Sequence, residues 1–283
     1  MVIENLKLKC KEIRKQIFIQ AHTAGGAHMG AAFSVADILG TLYFGDVLRY
    51  KPEQPEWEDR DKLILSKGHA GVALYAVMAL AGYFDVSYLK TFCQPGSRFG
   101  GHPRINEVPG VEASTGALGH GLSFGIGIAY ANKMDRRLSH TYVIMGDGEC
   151  QEGSVWEGAL SAPTLGLDNL TVIVDHNKLQ AMDELEKIVH MAPFVDKWKA
   201  FGWNVLEIDG HNYEQIKWAL LAREANMPTL VIANTIKGKG VSFMENVPIW
   251  HYRMPNEEEL EILFRDLEFS KEEQENFCMK RNI

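Results

Sequence analysis

The sequence predicts an α/β fold, a parallel doubly wound sheet flanked by helices, and three observations predict it. From residue 141 to 234, β-branched apolar runs alternate with helical stretches, the pattern of consecutive β–α–β crossovers. The run Thr141–Met145 ends in Gly146-Asp147-Gly148, where two residues without a Cβ permit a sharp turn and leave one carboxylate at the carboxyl edge of a sheet. With 283 residues, of which 46% are hydrophobic, the chain can bury one large core. A single domain spanning 1–283 is expected, with a charged helical tail from about 256 to 283.

Taken in order, Leu6, Cys10, Ile13 and Ile17 recur at helical spacing with lysines between them, so an amphipathic helix should run to the Gly25-Gly26 pair. The glycine-rich stretch from Ala21 to Gly30 reads as a loop. Ser34 should start a second helix with Val35, Ile38, Leu39 and Leu42 on its inner face. Residues 49–61 are polar with two prolines and read as a surface connection. Leu63–Leu65 is a short buried strand that delivers Ser66-Lys67-Gly68-His69 to a loop before a helix from Ala70 to Ala81. Lys67 there suits either added positive charge or a snorkelling surface position.

Phe99 to Gly121 is glycine-rich and without hydrophobic period, and long irregular loops inside compact domains are often functional. Gly121 to Lys133 should be a helix whose Gly125, Gly127, Ala129 and Ala131 allow another helix, from this chain or a partner, to approach closely. Cys150–Gly153 begins the helix that carries Trp156 and Leu160, and its free N–H groups favour an anion. Leu170–Asp175 is the next strand. Met182 to Val195 reads as a loop and short helix, followed by Trp198, Phe201 and Trp203 as core aromatics. Val205–Asp209 and Thr229–Asn234 are two further strands, separated by a helix from Tyr213 to Asn226, with Asp209–Asn212 as turn and helix cap. Asn256 with Glu259, and Ser270 with Glu273, are capping-box signals for two terminal helices.

This strand–loop–helix–strand unit brings Asp147 and Asn177 to one sheet edge. Hard oxygen ligands there suit Mg²⁺, which is usually completed by phosphate oxygens and water. A lone Gly-Asp-Gly is more often only a turn. The formal charge of −8, with no Lys/Arg cluster, argues against nucleic acid or an anionic membrane as partner. Cys10, Cys93, Cys150 and Cys278 form no Cys-x-x-Cys pair and read as buried or incidental thiols. No secretory leader and no run of about eighteen apolar residues is present, so a soluble cytoplasmic chain is expected. No strand is followed by a clean G-x-G-x-x-G, which disfavours a nicotinamide-type Rossmann enzyme.

The blocks KGHAGVALYAVMALAGYF (67–84), FGGHPRINEVPGVEASTGALGHGLSFGIGIA (99–129), MGDGECQEGSVWEGA (145–159) and WHYRMPN (250–256), with Asn177 following the GDG turn, resemble transketolase in order and spacing. The resemblance implies thiamine diphosphate held through Mg²⁺ (or Ca²⁺ or Mn²⁺) by Asp147, Asn177 and the backbone carbonyl of Leu179. It implies cofactor contacts for His69, Gly116, Ala117, Leu118, Gly146, Gly148, Lys237 and His251. His28, His69, His102 and His251 become the catalytic imidazoles facing a sugar substrate. Glu152 matches a carboxylate at the subunit junction near the cofactor, though a first-turn acid complementing the helix dipole explains it equally well. The sequence departs from the family at Ala27 and Met29, where GHPG is usual around His28, and at Ala117 and His120, where Pro and Gln are usual. These changes point to altered loops and an altered substrate.

No stretch resembles the family's second, pyrimidine-binding domain with its catalytic Glu. The resemblance therefore implies the N-terminal subunit of a two-chain enzyme that transfers a two-carbon ketol unit from a ketose (phosphate) to an aldose (phosphate). A C-terminal subunit would complete it, in an α2β2 heterotetramer. The alternatives are an E1-type or deoxyxylulose-phosphate-synthase-like subunit, or a non-catalytic cofactor-binding protein.

Overall fold

The computed structural model describes residues 2–181 and 183–278. Among them β1 (Lys62–Leu65), β2 (Thr141–Gly146), β3 (Leu170–His176), β4 (Asn204–Asp209) and β5 (Thr229–Asn234) form one five-stranded sheet, in the order β1-β2-β3-β5-β4. Every pairing is parallel. The helices are α1 (Val2–Ala24), α2 (Met29–Phe44), α3 (Gly71–Leu80), α4 (Gly121–Met134), α5 (Gly153–Thr164), α6 (Leu185–Ile188), α7 (Phe194–Ala200), α8 (Tyr213–Leu221), α9 (Glu257–Asp266) and α10 (Lys271–Cys278).

The inner strands read as continuous apolar runs because both faces of the sheet are covered. Tyr142, Ile144, Ile173 and Val231 enter one core with Ile13, Phe33, Ile38 and Leu74. Val143, Met145, Val172, Val174 and Ile232 enter a second core with Leu122, Val155 and Trp198. On that second side α4 lies directly on β2, since a Cβ at Gly125 would stand 2.3 Å from Val143 Cγ2. Parallel strands put all their carboxyl ends on one edge, so β1, β2, β3 and β5 each hand a loop to the same place.

Several boundaries differ from expectation. The stretch Ala21–Gly30 is mostly helical: α1 runs to Ala24, Gly25 breaks it with φ +74°, and α2 already begins at Met29 rather than Ser34. The buried side chains of Ala31, Ala32 and Phe33 pull that turn into the core. The helix expected to reach Asn226 stops at Leu221. Arg223 donates to the carbonyls of Leu220 and Ala222 at 2.7 and 2.6 Å and to the Tyr142 hydroxyl at 3.0 Å, which closes the helix end over β2. Cys150 lies in a 3-10 turn, Gly148–Gln151, and α5 itself begins at Gly153, so Glu152 occupies the N-cap without a side-chain cap bond.

The 49–61 connection is not wholly at the surface, because Arg60 and Asp61 are buried; Arg60 pairs with Glu112, and Asp61 accepts from Arg49 and from the His140 N–H. Both terminal capping boxes form. The tail is more than charged surface: Phe264, Phe269 and Phe277 gather round Phe18 of α1 with centroids 5.2–6.0 Å away. His22 is half-buried with its ring 4.1 Å from that of Phe277. Cys10 and Cys150 are buried and Cys93 is exposed. The side chain of Cys278, Met182 and residues 279–283 lie outside those described. Among the described residues no helix is long and apolar enough to cross a membrane.

Candidate functional site

Four strand ends build one cavity of about 400 Å³. β1 supplies Lys67 and His69, β2 supplies Gly146, Asp147 and Gly148, β3 supplies Asn177 and Leu179, and the loop after β5 supplies Lys237. His28 enters from the N-terminus of α2, His251 from the 3-10 turn Pro248–His251, and His102, Gly116 and Leu118 from the long irregular loop, with Glu152 at the N-cap of α5. Every sequence-derived site residue thus lines the same space except Ala117, whose exposed side chain leaves it outside the lining. His120 is also exposed and absent from it. A larger cavity of about 680 Å³ lies away from the strand ends, lined by α1, the turn Val86–Thr91 and the α9–α10 tail.

On the floor the acidic groups are sharply differentiated. Asp147 accepts the Lys178 N–H at 2.6 Å and the Gly148 N–H at 2.7 Å, yet burial, reinforced by Asp175, pushes its carboxyl up to about 6. Asp175 is equally buried, but there the ammonium of Lys67 overcomes the burial and holds the carboxyl below its usual range. Asn177 Oδ1 accepts from the Leu179 N–H at 3.1 Å. The Leu179 carbonyl accepts from Lys237 Nζ at 3.2 Å, and the Gln180 carbonyl does so at 2.8 Å. Lys237 is only 1% exposed, and burial with the nearby Lys67 lowers its ammonium to about 8. Among the described residues no three His, Cys, Asp or Glu side chains are grouped to hold a metal; the oxygens gathered here belong to one carboxylate, one amide and backbone carbonyls.

Above this floor the imidazoles cluster. His28 has its ring centroid 5.4 Å from His69 and 5.0 Å from His251, and Lys237 Nζ stands 3.1 Å from His251 Nδ1. Burial, followed by neighbouring imidazoles and lysines, lowers His28 and His251 to about 4, and burial and Lys67 put His69 well below the ordinary range. These rings are neutral near pH 7, able to donate from one nitrogen and accept at the other.

Two contributors, Glu149 and Asp175, escaped the sequence reading, and of the two readings of Lys67 the structure supports added positive charge. Lys67 is a fully buried partner of Asp175 rather than a snorkelling lysine. Glu149 is 2% exposed and accepts from the Ser66 hydroxyl, the Gly119 N–H and the Gly146 N–H, tying the irregular loop to the turn after β2. Asp175 was visible as an acid closing an apolar strand, a placement rare enough to flag; Glu149 had no such signal.

A family model described as "Transketolase, thiamine diphosphate binding domain" matches residues 7–283. One subunit of the apulose-4-phosphate transketolase of Phocaeicola vulgatus is 40% identical over 280 residues, 98% of this chain and 99% of that protein. A 6-deoxy-6-sulfo-D-fructose transketolase subunit of a Clostridium species is 39% identical over 266 residues, 93% of this chain and 96% of that protein. The solved transketolase of Leishmania mexicana superposes with a TM-score of 0.86 at 28% identity, and the match covers 93% of this chain but 41% of that one. The chain therefore spans about two fifths of the length of that solved relative and nearly the whole of the two single-subunit relatives.

Proposed function

The chain belongs to the transketolase thiamine-diphosphate-binding family, and from that premise we propose that it is the N-terminal subunit of a two-chain transketolase, transferring a ketol unit from a ketose to an aldose. The observation that carries this reading is the convergence of Asp147, Asn177 and the Leu179 carbonyl under a roof of neutral imidazoles, in one cavity at the carboxyl edge of a parallel sheet. The donor set fits a hydrated divalent cation carrying a diphosphate: all its atoms are oxygens, from one buried carboxylate, one amide and one backbone carbonyl. Mg²⁺ is the cation proposed.

Bound thiamine diphosphate would supply the carbon nucleophile and electron sink for cleaving the ketose carbon–carbon bond. The chain's own residues do the rest. Asp147, Asn177 and Leu179 would hold the metal, and Lys237 and His69 would meet the diphosphate it carries. Gly116 and Leu118 would offer backbone to the cofactor's rings, Gly146 and Gly148 would let the β2 turn approach it, and Glu152 lines the same cavity. His28, His69, His102 and His251 donate to and accept from sugar hydroxyls and move protons over short distances. The neutral state of His28 and His251 suits that exchange better than imidazolium.

A second chain completes the site. The Phocaeicola vulgatus and Clostridium relatives, each matched nearly end to end, are both named as subunits. The outward side of α4 also exposes Phe124, Tyr130 and Met134, with Leu160 exposed on α5 beside it, an apolar surface of the kind that a partner covers. An α2β2 assembly of single-domain subunits in the cytoplasm is the arrangement proposed, and the free thiols of Cys10, Cys93 and Cys150 accord with a reducing compartment. The sugars are not specified by these residues; the named relatives act on different ones. The test is ketol transfer measured with the chain alone and with the subunit that co-purifies with it. Activity only in the pair is expected, and full activity of the isolated chain would refute the split site.

A further inference from the structure

The β4–α8 turn does cap its helix: Asn212 Oδ1 accepts from the N–H groups of Glu214 and Gln215, both at 3.1 Å. His211, next to it, has different partners. Its Nδ1 lies 2.7 Å from Asp37 Oδ2 on α2, and its Nε2 accepts the backbone N–H of Ile236 at 2.8 Å. A ring nitrogen that accepts from an amide carries no proton, so the proton resides on Nδ1 and is donated to Asp37.

Asp37 is a rigid anchor. Arg14 of α1 grips it through two nitrogens at 2.9 and 2.8 Å, and the Tyr213 hydroxyl adds a bond at 2.9 Å. Burial works against its charge, but Arg14 and the bond from His211 prevail and hold the carboxyl well below its usual range. With His211 Nδ1 included, the carboxylate accepts four hydrogen bonds, its full capacity.

The anchored ring ends at Ile236, the residue immediately before Lys237. The 236–238 backbone carries five hydrogen bonds: Ile236 N–H to His211, the Lys237 carbonyl from the Asn246 N–H at 2.9 Å, Gly238 N–H to the Gly30 carbonyl at 2.9 Å, and two inside the turn, from the Lys239 N–H to the Ile236 carbonyl at 3.2 Å and from the Val241 N–H to the Gly238 carbonyl at 3.4 Å. Only the first of these bonds uses a side chain. We propose that His211 is a positioning residue, which sets where the Lys237 ammonium stands against the Leu179 carbonyl and hence how well the cavity receives a magnesium diphosphate. This rests on the thiamine diphosphate reading of the cavity, in which Lys237 flanks the diphosphate.

Two substitutions separate the two ring nitrogens. His211→Asn keeps a donor near Nδ1 for Asp37 and leaves the Ile236 N–H without its acceptor; His211→Gln extends an amide oxygen to the position of Nε2. Calorimetry with Mg²⁺ and thiamine diphosphate on the full chain, with its co-purifying subunit, should show His211→Asn weakened about tenfold, the worth of one good hydrogen bond. His211→Gln should recover most of that loss while the ligand-free thermal midpoints of the two variants match. Binding by His211→Asn equal to wild type, or equal weakening in both variants, would overturn the proposal. No binding by the wild-type complex would overturn the thiamine diphosphate reading itself and this inference with it. In wild type, ring nitrogen NMR should find Nδ1 protonated and Nε2 bare, whatever the variants' folding; a protonated Nε2 at neutral pH would also overturn it.

Discussion

Lys67 and Asp175 form an ion pair with neither side chain exposed, although one follows β1 and the other is the penultimate residue of β3, with β2 between them. Lys67 also donates to the Ala31 carbonyl at 3.1 Å, and Asp175 accepts from the Ser34 hydroxyl at 2.6 Å, so the pair fastens α2 to the floor of the cavity. Removing one partner strands the other charge. Lys67→Met should therefore destabilise the chain by about 3–5 kcal/mol in urea unfolding, and adding Asp175→Asn should recover part of that loss. A single variant as stable as wild type would contradict the pairing.

Glu149 serves as a clamp of a different kind. It is the acceptor for a hydroxyl and two backbone N–H groups drawn from three separate segments. A buried donor left without a partner costs about 1–3 kcal/mol, so Glu149→Ala should lose about 3 kcal/mol or more. Limited proteolysis should then cut within 99–121 faster in the variant than in wild type. Unchanged stability and an unchanged cleavage pattern would show that the irregular loop is held by other means.

How much of this was legible follows from which interactions are local. The parallel sheet was readable because β2, β3 and β5 are apolar on both faces, and the Gly-Asp-Gly turn marked the edge on which the strand ends meet. The capping boxes at Asn256 and Ser270 were readable because they span three residues. The histidines entered through resemblance, and the fold gathers them with no local signal in common. Lys67 could not be told from a surface lysine, because its partner lies 108 positions away. Glu149 is explained only once the 99–121 loop returns to it. The early start of α2 and the short α8 were hidden for the same reason, since burial and Arg223 settle boundaries that glycine content and helical period do not.

The imidazoles make a pH prediction. His28 and His251 are lowered from the ordinary 6.5 to about 4, chiefly by burial. Between those values the unfolded chain binds protons that the native rings refuse, so their contribution to stability falls as pH drops from 6.5 toward 4 and is constant above 6.5. NMR titration of the two rings in the cofactor-free chain should give midpoints near 4. Midpoints at the ordinary value would mean that the roof is solvated and that imidazolium is available for catalysis.

The most direct test of the whole account is retention of thiamine diphosphate by the assembled complex, measured by equilibrium dialysis with and without Mg²⁺. Wild type should retain the cofactor only when the metal is present, and Asp147→Ala or Asn177→Ala should lower retention at least about a hundredfold, in line with removal of one of few ligands. Metal-dependent retention that survives both substitutions would contradict the assignment of the cavity.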